Sequence, residues 1–313
     1  MIKKLREEFE KGLKTKKDMG MDLFYAEKGL FDYQWILSDN PCSSLTITRN
    51  GVHADFDVYG QNIKMYLDEH DYSAVPAQIL SKGFYEKNEL DMVLKLVDFM
   101  DSDAVVFDVG ANLGWYGINI MKQRPKTKVY FFEPVPDTVV RLKNNLKLND
   151  IDDNSVNCFG LLNENTVKQF YYDVSESGAS SLADLREKET TRYIDVHFKR
   201  MDDFIKDNKI DRLDFIKCDV EGSELFVYQG GIEAIKKFKP IVFSEMLRKW
   251  AKKFSYHPND IITLFKDCGY ACFVIDNGYL KEFETVTEET IETNYCFLHK
   301  EKHANIISGL RRN

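Results

Sequence analysis

Two glycines and two acids, spaced along residues 105–133, form a pattern that could bind a nucleotide-like cofactor. Asp108 lies near the end of an apolar run, and Gly110 and Gly114 follow it closely. Glycines let the backbone approach a ligand closely, and a helix that starts there points free N–H groups into the same space. Glu133 comes 23 residues after Gly110, the separation at which an acid ending the next strand accepts hydrogen bonds from ribose hydroxyls.

The glycine spacing discriminates between cofactor classes. Gly110, Gly114 and Gly117 form a GxxxGxxG pattern, which makes a wider turn than the GxGxxG sequence that clamps a dinucleotide pyrophosphate. The wider turn favours S-adenosylmethionine over NAD. Asp108 could instead only cap a helix, and Asn112 could merely tolerate a left-handed turn. The residues that we predict to contact the cofactor are Asp108, Gly110, Asn112, Gly114, Glu133 and Asp219.

Three acids follow later strands and could remove a proton from a substrate. Asp219 and Glu221 follow a fourth predicted strand, and Glu245 ends a fifth. Like charges held close together need either one carboxylate with a raised pKa, acting as general base, or a bound Mg²⁺-like ion. We predict a site without metal in which Asp219 or Glu221 is the base. His257 is the reserve catalytic residue, although a lone histidine is more often structural.

An alternation of strands and helices would position these residues in an α/β fold with a largely parallel sheet. An inserted hairpin, residues 167–174 and 193–198, is joined by the polar stretch 175–192. The other predicted strands are 105–109, 128–133, 155–162, 213–219, 240–245, 272–275 and 294–299, and the predicted helices are 89–100, 136–149 and 259–268.

The chain before residue 86 is predicted to form a separate N-terminal unit, 1–85. A helix over residues 1–20, ended by Gly20, is followed by a β-rich cap over 21–80, with a hairpin turn at Asn50-Gly51. The helix is interpreted as packing on the main domain, with a membrane-surface or partner helix as the alternative. The catalytic domain is assigned to residues 86–313.

Composition narrows the classes of partner. The 313 residues carry a formal net charge of −8. A protein that binds nucleic acid gains much of its affinity by neutralising phosphates with positive side chains, so nucleic acid is not expected as a partner. No uncharged apolar run reaches transmembrane length, and the N-terminus is too charged for a signal peptide. We therefore expect a cytoplasmic protein without integral membrane association, and leave a homo-oligomer open.

Several segments together resemble the FkbM family of S-adenosylmethionine-dependent O-methyltransferases. They are Asp108-Val-Gly-Ala-Asn-Leu-Gly114, Phe132-Glu-Pro134, Gly178-Ala-Ser-Ser-Leu182 and Phe215-Ile-Lys-Cys-Asp-Val-Glu-Gly-Ser-Glu-Leu225. The resemblance covers roughly residues 63–298. It departs from the family pattern only slightly, at Leu113 and Cys218.

This resemblance implies a class I methyltransferase (Rossmann-like) sheet of seven strands with the last strand antiparallel. It also implies methylation of a hydroxyl on a sugar, in a surface polysaccharide or a nucleotide-sugar precursor, or on a polyketide-type molecule. Through the segment Gly83-Phe-Tyr-Glu86 it adds Glu86 to the predicted cofactor contacts. Two alternative functions fit the sequence less well. An NAD-dependent oxidoreductase would require a tighter glycine turn, and a non-catalytic binding module would not need the glycine turns and the acids to be intact.

The acceptor is expected beyond the carboxyl ends of the strands, where open α/β sheets bind their ligands. The cap, the inserted hairpin and the aromatic stretch from Trp250 to His257 would then wall the acceptor site. The residues that we predict to contact the acceptor are Ser180, Ser181, Glu245 and Trp250.

Overall fold

Helices and strands alternate along most of the chain, which the computed structural model describes for residues 2–173, 175–184 and 191–311. The strands are β1 (Cys42–Thr48), β2 (Gly51–Val58), β3 (Gln61–Tyr66), β4 (Val105–Val109), β5 (Lys128–Phe132), β6 (Val156–Asn157), β7 (Gly160–Leu161), β8 (Thr166–Asp173), β9 (Glu176–Ser181), β10 (Thr191–Lys199), β11 (Phe215–Cys218), β12 (Ile241–Glu245), β13 (Tyr270–Asp276), β14 (Tyr279–Phe283) and β15 (Asn294–His299). The helices are α1 (Ile2–Glu10), α2 (Lys16–Ser38), α3 (Val75–Lys82), α4 (Lys87–Asp98), α5 (Trp115–Gln123), α6 (Pro136–Leu148), α7 (Met201–Asp207), α8 (Glu224–Gly230), α9 (Ile232–Phe238), α10 (Arg248–Ala251), α11 (Pro258–Asp267) and α12 (Ala304–Leu310), with a 3₁₀ turn over Lys252–Phe254.

A mixed sheet of eight strands, in the order β14-β13-β15-β12-β11-β4-β5-β6, runs through the described chain. The five strands from β6 to β12 are parallel, whereas β15 is antiparallel to both of its neighbours. The predicted α/β architecture is confirmed. The sheet has eight strands instead of the expected seven because β14 forms a hairpin with β13 at one edge.

Both faces of this sheet are covered, which explains the continuous apolar runs of its central strands. Neighbouring residues of one strand point to opposite faces, so Phe131 packs in the layer that contains Ile118 and Leu142, on α5 and α6. Phe132 packs in the opposite layer with Phe204, on α7. The strand tips are therefore held rigidly from both sides.

A second sheet, in the order β7-β10-β8-β9, stands beside the main one. The predicted hairpin pairing is confirmed, since β8 and β10 are antiparallel neighbours. The predicted strand 155–162 is divided, because β6 pairs in the main sheet and β7 pairs with β10. The polar stretch 175–192 contains β9, which pairs with β8, while its residues 185–190 lie outside the described range.

The N-terminal unit differs from the expected helix and cap. The helix is broken near Gly12, which has a φ of +70°, and α2 then begins after its cap Thr15 and continues through Gly20. The expected packing of a helix over residues 1–20 on the main domain is wrong, because α1 has no buried residue and packs against α2. Residues 21–38, expected in the β-rich cap, belong to α2, which has no buried residue either. None of the described helices is both long and apolar enough to cross a membrane.

The three-stranded sheet β1-β2-β3 is tied to the main domain by polar contacts. The predicted hairpin is confirmed, since Thr48 pairs with Gly51. The Asn145 side-chain oxygen on α6 accepts a hydrogen bond from the backbone N–H of Tyr66 at 3.0 Å. Asn149 does the same for Lys64 at 2.9 Å. These amides satisfy the outer edge of β3 and hold this sheet against α6.

Candidate active site

A cavity of about 190 Å³ opens where β4, β5, β11 and β12 end. Tyr85 and Glu86, which precede α4, close one side, and Gly178 and Ser180 of β9 contribute another wall. The predicted cofactor and base residues that line it are Glu86, Gly110, Asn112, Glu133, Asp219 and Glu221, and the predicted acceptor residues that line it are Ser180 and Glu245. Strand topology thus brings together residues that are up to 159 positions apart along the chain.

Gly110 lets the turn after β4 pack directly against the backbone of the loop after β11. Its φ is +74°, and a Cβ built there would lie 1.8 Å from the backbone oxygen of Asp219. Its N–H and that of Ala111 both donate to the carbonyl of Phe132 at 3.0 Å. The sequence predicts that the backbone at Gly110 approaches a ligand closely. In the structure, the backbone at Gly110 closely approaches the loop after β11.

Asp108 caps a helix, which is the alternative left open by its sequence position. Its Oδ2 accepts a hydrogen bond from the Gly117 N–H, in the first turn of α5, at 3.1 Å. Its Oδ1 is buried and has no hydrogen-bond partner among the described residues. Gly114, with a φ of +86°, precedes α5 and packs against Leu142. Neither Asp108 nor Gly114 lines the cavity, so both residues support the glycine turn without reaching the cavity.

Glu133 lies buried at the tip of β5 and joins two loops. Its Oε2 accepts the Asn112 N–H at 3.0 Å, and its Oε1 accepts the Val135 N–H at 3.0 Å. Burial raises its pKa to about 7, although these two donors oppose the shift. Each carboxylate oxygen can accept more than one hydrogen bond, so Glu133 keeps acceptor capacity toward the cavity that it lines.

Strained backbone is concentrated at this cavity. Glu86, Asn112 and Glu221 line it and have left-handed φ values of 43°, 46° and 50°. Each such conformation costs about 1–3 kcal/mol in a residue other than glycine and persists where the surroundings hold it. Asn112 therefore does tolerate a left-handed turn, and its buried Oδ1 has no partner within the described chain.

Lys217 is a central charge of the site and is absent from the residues predicted from sequence. The residue is 5% exposed, and its Nζ lies 3.3 Å from Asp219 Oδ2 and donates to the Gly110 carbonyl at 3.4 Å. Burial by itself would lower the lysine pKa, but the carboxylates of Asp219, Asp108 and Glu86 raise it overall. A lysine in the apolar strand Phe215–Cys218 is the sequence signal that could have identified it.

The three acids expected at one sheet edge do meet there. Carboxylate oxygens of Asp219, Glu221 and Glu245 lie within 4.8 Å of one another. Burial, followed by the charges of Asp219 and Glu221, raises the pKa of Glu245 far above its usual range. The shift favours the neutral form of Glu245, while the Lys217 ammonium lies beside Asp219 and compensates its charge. The site thus relieves like-charge repulsion with groups of its own.

Glu224 shapes the loop that carries Asp219 and Glu221. Its Oε1 accepts the N–H groups of Val220 at 3.2 Å and Gly222 at 2.9 Å. The Tyr256 hydroxyl donates to its Oε2 at 3.1 Å. Glu224 is fully enclosed, and burial raises its pKa to about 7. The sequence pattern places it in the motif but does not reveal this supporting role.

Besides Asp108 and Gly114, three further predicted residues do not reach the cavity. His257 caps α11, where its Nδ1 accepts the Asn259 N–H at 3.2 Å, and it lines a different cavity. Trp250 packs against Gly222, at which a Cβ would lie 2.9 Å from the Trp250 Cβ. The buried Ser181 donates to the Glu221 carbonyl at 2.8 Å. The structure thus brings Ser180 to the cavity but gives His257, Trp250 and Ser181 supporting positions.

Tyr116 contacts both Glu86 and Lys217 at the cavity. Its hydroxyl donates to Glu86 Oε2 at 2.7 Å, and its ring lies 5.1 Å below the Lys217 ammonium. Burial and the charge of Asp219 raise the pKa of Glu86. A carboxyl group, a phenol and an ammonium therefore share one enclosed region, where their interactions are stronger than in water.

Comparison with known proteins identifies the motif-bearing part of the chain. The family described as "Methyltransferase FkbM domain" matches residues 108–272, a narrower span than the resemblance seen in the sequence. Methyltransferase sdnD of Sordaria araneosa is 28% identical over 187 residues, which cover 50% of this chain and 70% of that protein.

Two further relatives are covered less completely. The 2-O-methyltransferase NoeI of Sinorhizobium fredii (strain NBRC 101917 / NGR234) is 27% identical over 148 residues, covering 43% of this chain and 60% of NoeI. The crystal structure of methyltransferase FkbM from Methylobacillus flagellatus KT is similar with a TM-score of 0.40 and 18% identity. That match covers 64% of this chain and 45% of that one.

Proposed function

The chain belongs to the methyltransferase FkbM family, and from this premise we propose that it transfers a methyl group from S-adenosylmethionine to a hydroxyl of a sugar. The sugar would belong to a surface polysaccharide or to its nucleotide-sugar precursor. Transfer to oxygen is supported by the name of one relative, a 2-O-methyltransferase. The observation that carries the proposal is that Glu133 and the acids after β11 line one cavity.

The residues present fit S-adenosylmethionine. Glu133 would accept hydrogen bonds from the two ribose hydroxyls, because its carboxylate lines the cavity at the tip of β5. Asn112 lines the cavity, and its buried Oδ1 has no partner in the described chain, so this oxygen suits a donor on a ligand. We also assign the sheet to the class I, Rossmann-like type, supported by its strand order and antiparallel last strand, with β14 as an addition.

The methyl transfer requires alignment and a base. When bound, S-adenosylmethionine supplies a methyl group already activated by its sulfonium, so the protein need not activate the donor. Asp219 would take the hydroxyl proton, with Glu221 as the neighbouring alternative. The Lys217 ammonium, 3.3 Å from Asp219 Oδ2, would hold this carboxylate in place, and a protonated Glu245 would donate a hydrogen bond to the acceptor oxygen.

Asp219→Asn tests the assignment of the base. We expect turnover with a panel of sugar acceptors to fall by about 10²–10⁴-fold, a much larger loss than the weakening of S-adenosylhomocysteine binding measured by calorimetry. Asp211→Asn, which alters an exposed acid shortly before β11, is the matched control and should keep full turnover. Undiminished methylation by both Asp219→Asn and Glu221→Gln would remove the acids from the reaction.

Metal dependence is tested separately. Because Lys217 already compensates the acids, we propose that no ion is required, and the enzyme should keep its activity after exhaustive EDTA treatment. Loss of activity that Mg²⁺ restores would show instead that Asp219, Glu221 and Glu245 hold a cation.

A second candidate acceptor is an apolar molecule of polyketide type. An apolar cavity of about 170 Å³ lies between the three-stranded sheet and α3–α4, and it shares Tyr85 and Trp115 with the active cavity. Aromatic walls there could receive a non-sugar skeleton. If Phe56→Arg abolishes methylation of apolar alcohols but leaves sugar methylation intact, the protein accepts both classes. Turnover of apolar alcohols alone would favour this candidate over the sugar.

A further inference from the structure

The middle of α2 stands away from the rest of the chain on every side. All nine residues from Glu27 to Trp35 are exposed, and the helix has no buried residue. Only its ends are held: α1 packs along the first part, and Leu37 packs against the main core at the other end. A helix of this kind gains little stability by itself, since helices in proteins depend on packing.

The exposed side chains of α2 are arranged as a seam. Met21, Phe24, Lys28, Phe31 and Trp35 follow one another at alternating intervals of three and four residues, which places them on one face. Met21, Phe24, Phe31 and Trp35 are 48%, 57%, 74% and 80% exposed. This spacing is typical of a helix that packs against another helix, and large exposed apolar patches mark interaction sites.

The charges of α2 disfavour a lipid surface as its partner. Helices that lie on anionic membranes are rich in lysine and arginine on the polar face. Around the exposed rings of α2 the charged residues are Asp22, Glu27 and Asp32, against a single cation, Lys28. The net charge of this segment would be repelled by anionic headgroups.

The seam is complementary to itself in the antiparallel direction. If two α2 helices pair antiparallel about a two-fold axis between Gly29 and Leu30, each residue faces the residue of the other copy whose number brings the sum of the two numbers to 59. Phe24 of one copy therefore faces Trp35 of the other. Lys28 then faces Phe31 and lies one residue from Asp32. A cation would thus meet an aromatic face and an opposite charge across the pair. Within one chain, Lys28 already lies 5.9 Å above the rings of Phe24 and Tyr25.

We propose that two copies of this chain form a dimer through an antiparallel pair of α2 helices, with Phe24, Lys28, Phe31 and Trp35 at its centre. The pairing is independent of the methyl-transfer proposal, because α2 contributes no residue to the active cavity. Each helix would bury against its twin the rings that are exposed in the single chain.

The oligomeric state of the full chain tests the dimer. Sedimentation over a dilution series should give the mass of two 36.5 kDa chains, and Phe31→Asp/Trp35→Asp should sediment as one chain. Tyr33→Asp is the matched control, since Tyr33 lies on the opposite face of the helix and is also exposed. Binding of S-adenosylhomocysteine by each variant shows that the main domain has folded.

Cysteine cross-linking tests the antiparallel register. In a Cys158→Ser background, which removes an exposed native thiol, mixed Phe24→Cys and Trp35→Cys chains of different mass should form a heterodimeric disulfide. Phe24→Cys alone should cross-link at least tenfold less. Efficient self-linkage of Phe24→Cys would overturn the antiparallel arrangement.

Two other outcomes would overturn the pairing as a whole. One is a wild-type chain that stays monomeric at all concentrations, or a Tyr33→Asp variant that dissociates as fully as Phe31→Asp/Trp35→Asp. The other is a monomer that co-sediments with phosphatidylcholine or phosphatidylserine vesicles and loses this binding on Phe31→Asp/Trp35→Asp, which would identify a lipid surface as the partner.

Discussion

The Lys217 ammonium, whose side chain is almost fully buried, lies 3.3 Å from the carboxylate of the partly exposed Asp219. Removing one member of a buried pair leaves the other charge uncompensated and costs about 3 kcal/mol. We therefore expect Lys217→Met to lower the free energy of unfolding by that amount, measured by urea denaturation. Lys217→Met/Asp219→Asn should recover part of the loss, because fewer charges are left unpaired.

The exposed lysine of α9, Lys237, provides a control for Lys217. Lys237→Met should change stability by less than about 0.5 kcal/mol, as surface substitutions usually do. If the losses of Lys217→Met and Asp219→Asn simply add in the double variant, the two groups do not interact and Lys217 has no compensating role.

Glu133 should make cofactor binding depend on pH. Burial raises its pKa to about 7, so the free protein carries a neutral Glu133 below that pH and a carboxylate above it. A carboxylate is the stronger acceptor, so the affinity for S-adenosylhomocysteine should rise as the pH increases through 7. At pH 8, Glu133→Gln should weaken binding by about 1–3 kcal/mol and should flatten this pH dependence, measured by calorimetry.

The exposed acid Asp137, in the first turn of α6, is the control for Glu133. Asp137→Asn should keep both the affinity and its rise with pH. A Glu133→Gln protein that binds like wild type at every pH would exclude Glu133 from the ribose contact.

Gly110→Ala should disturb folding more than a glycine turn alone explains. Gly60 has nearly the same φ, +76°, but an added Cβ there meets nothing within 4 Å. Gly60→Ala should cost about 1–2 kcal/mol for the left-handed backbone, measured by thermal unfolding. Gly110→Ala must in addition displace the Asp219 backbone, so it should lose several times more stability and its cofactor binding. Equal losses in the two variants would mean that this loop yields easily.

His257 should matter for stability and not for turnover. Because its Nδ1 accepts a hydrogen bond at the start of α11, His257→Ala should cost about 0.5–2 kcal/mol of folding free energy. His257→Asp, which restores a good helix cap, should recover most of that loss, and both variants should methylate at the wild-type rate. A fall in turnover that His257→Asp does not repair would return His257 to the catalytic residues.

The elements that sequence predicts well are those whose signals are local. Val105–Val109 followed by Gly110 is a buried strand and turn because its apolar run and its glycine need no distant residue to be interpreted. The dipeptide Asn277-Gly278 is a similar local signal, because Asn-Gly favours a hairpin turn, and β14 could have been predicted from it. In the structure both residues have the positive φ of such a turn.

The missed features depend on distant contacts. Lys217 is important because Asp108 and Glu86, from two other segments, join Asp219 around it, and no spacing along the chain reveals that. His257 and Trp250 follow a strand that ends at the site, yet a short helix and the 3₁₀ turn direct them elsewhere. The helix end predicted at Gly20 is wrong because a glycine weakens a helix but does not by itself end it.

The pairing of β4 with β11 sets when the site can form during folding. Val106 lies opposite Phe215, and the intervening 108 residues include the whole second sheet. Closing so long a loop is entropically unfavourable before native contacts reward it, which places this step late and makes it slow. The Gly110 turn and the Asp219 loop therefore meet only in chains that have completed this closure. We expect a nascent chain to acquire affinity for S-adenosylmethionine only after this step, so that ligand binding would serve as its kinetic marker.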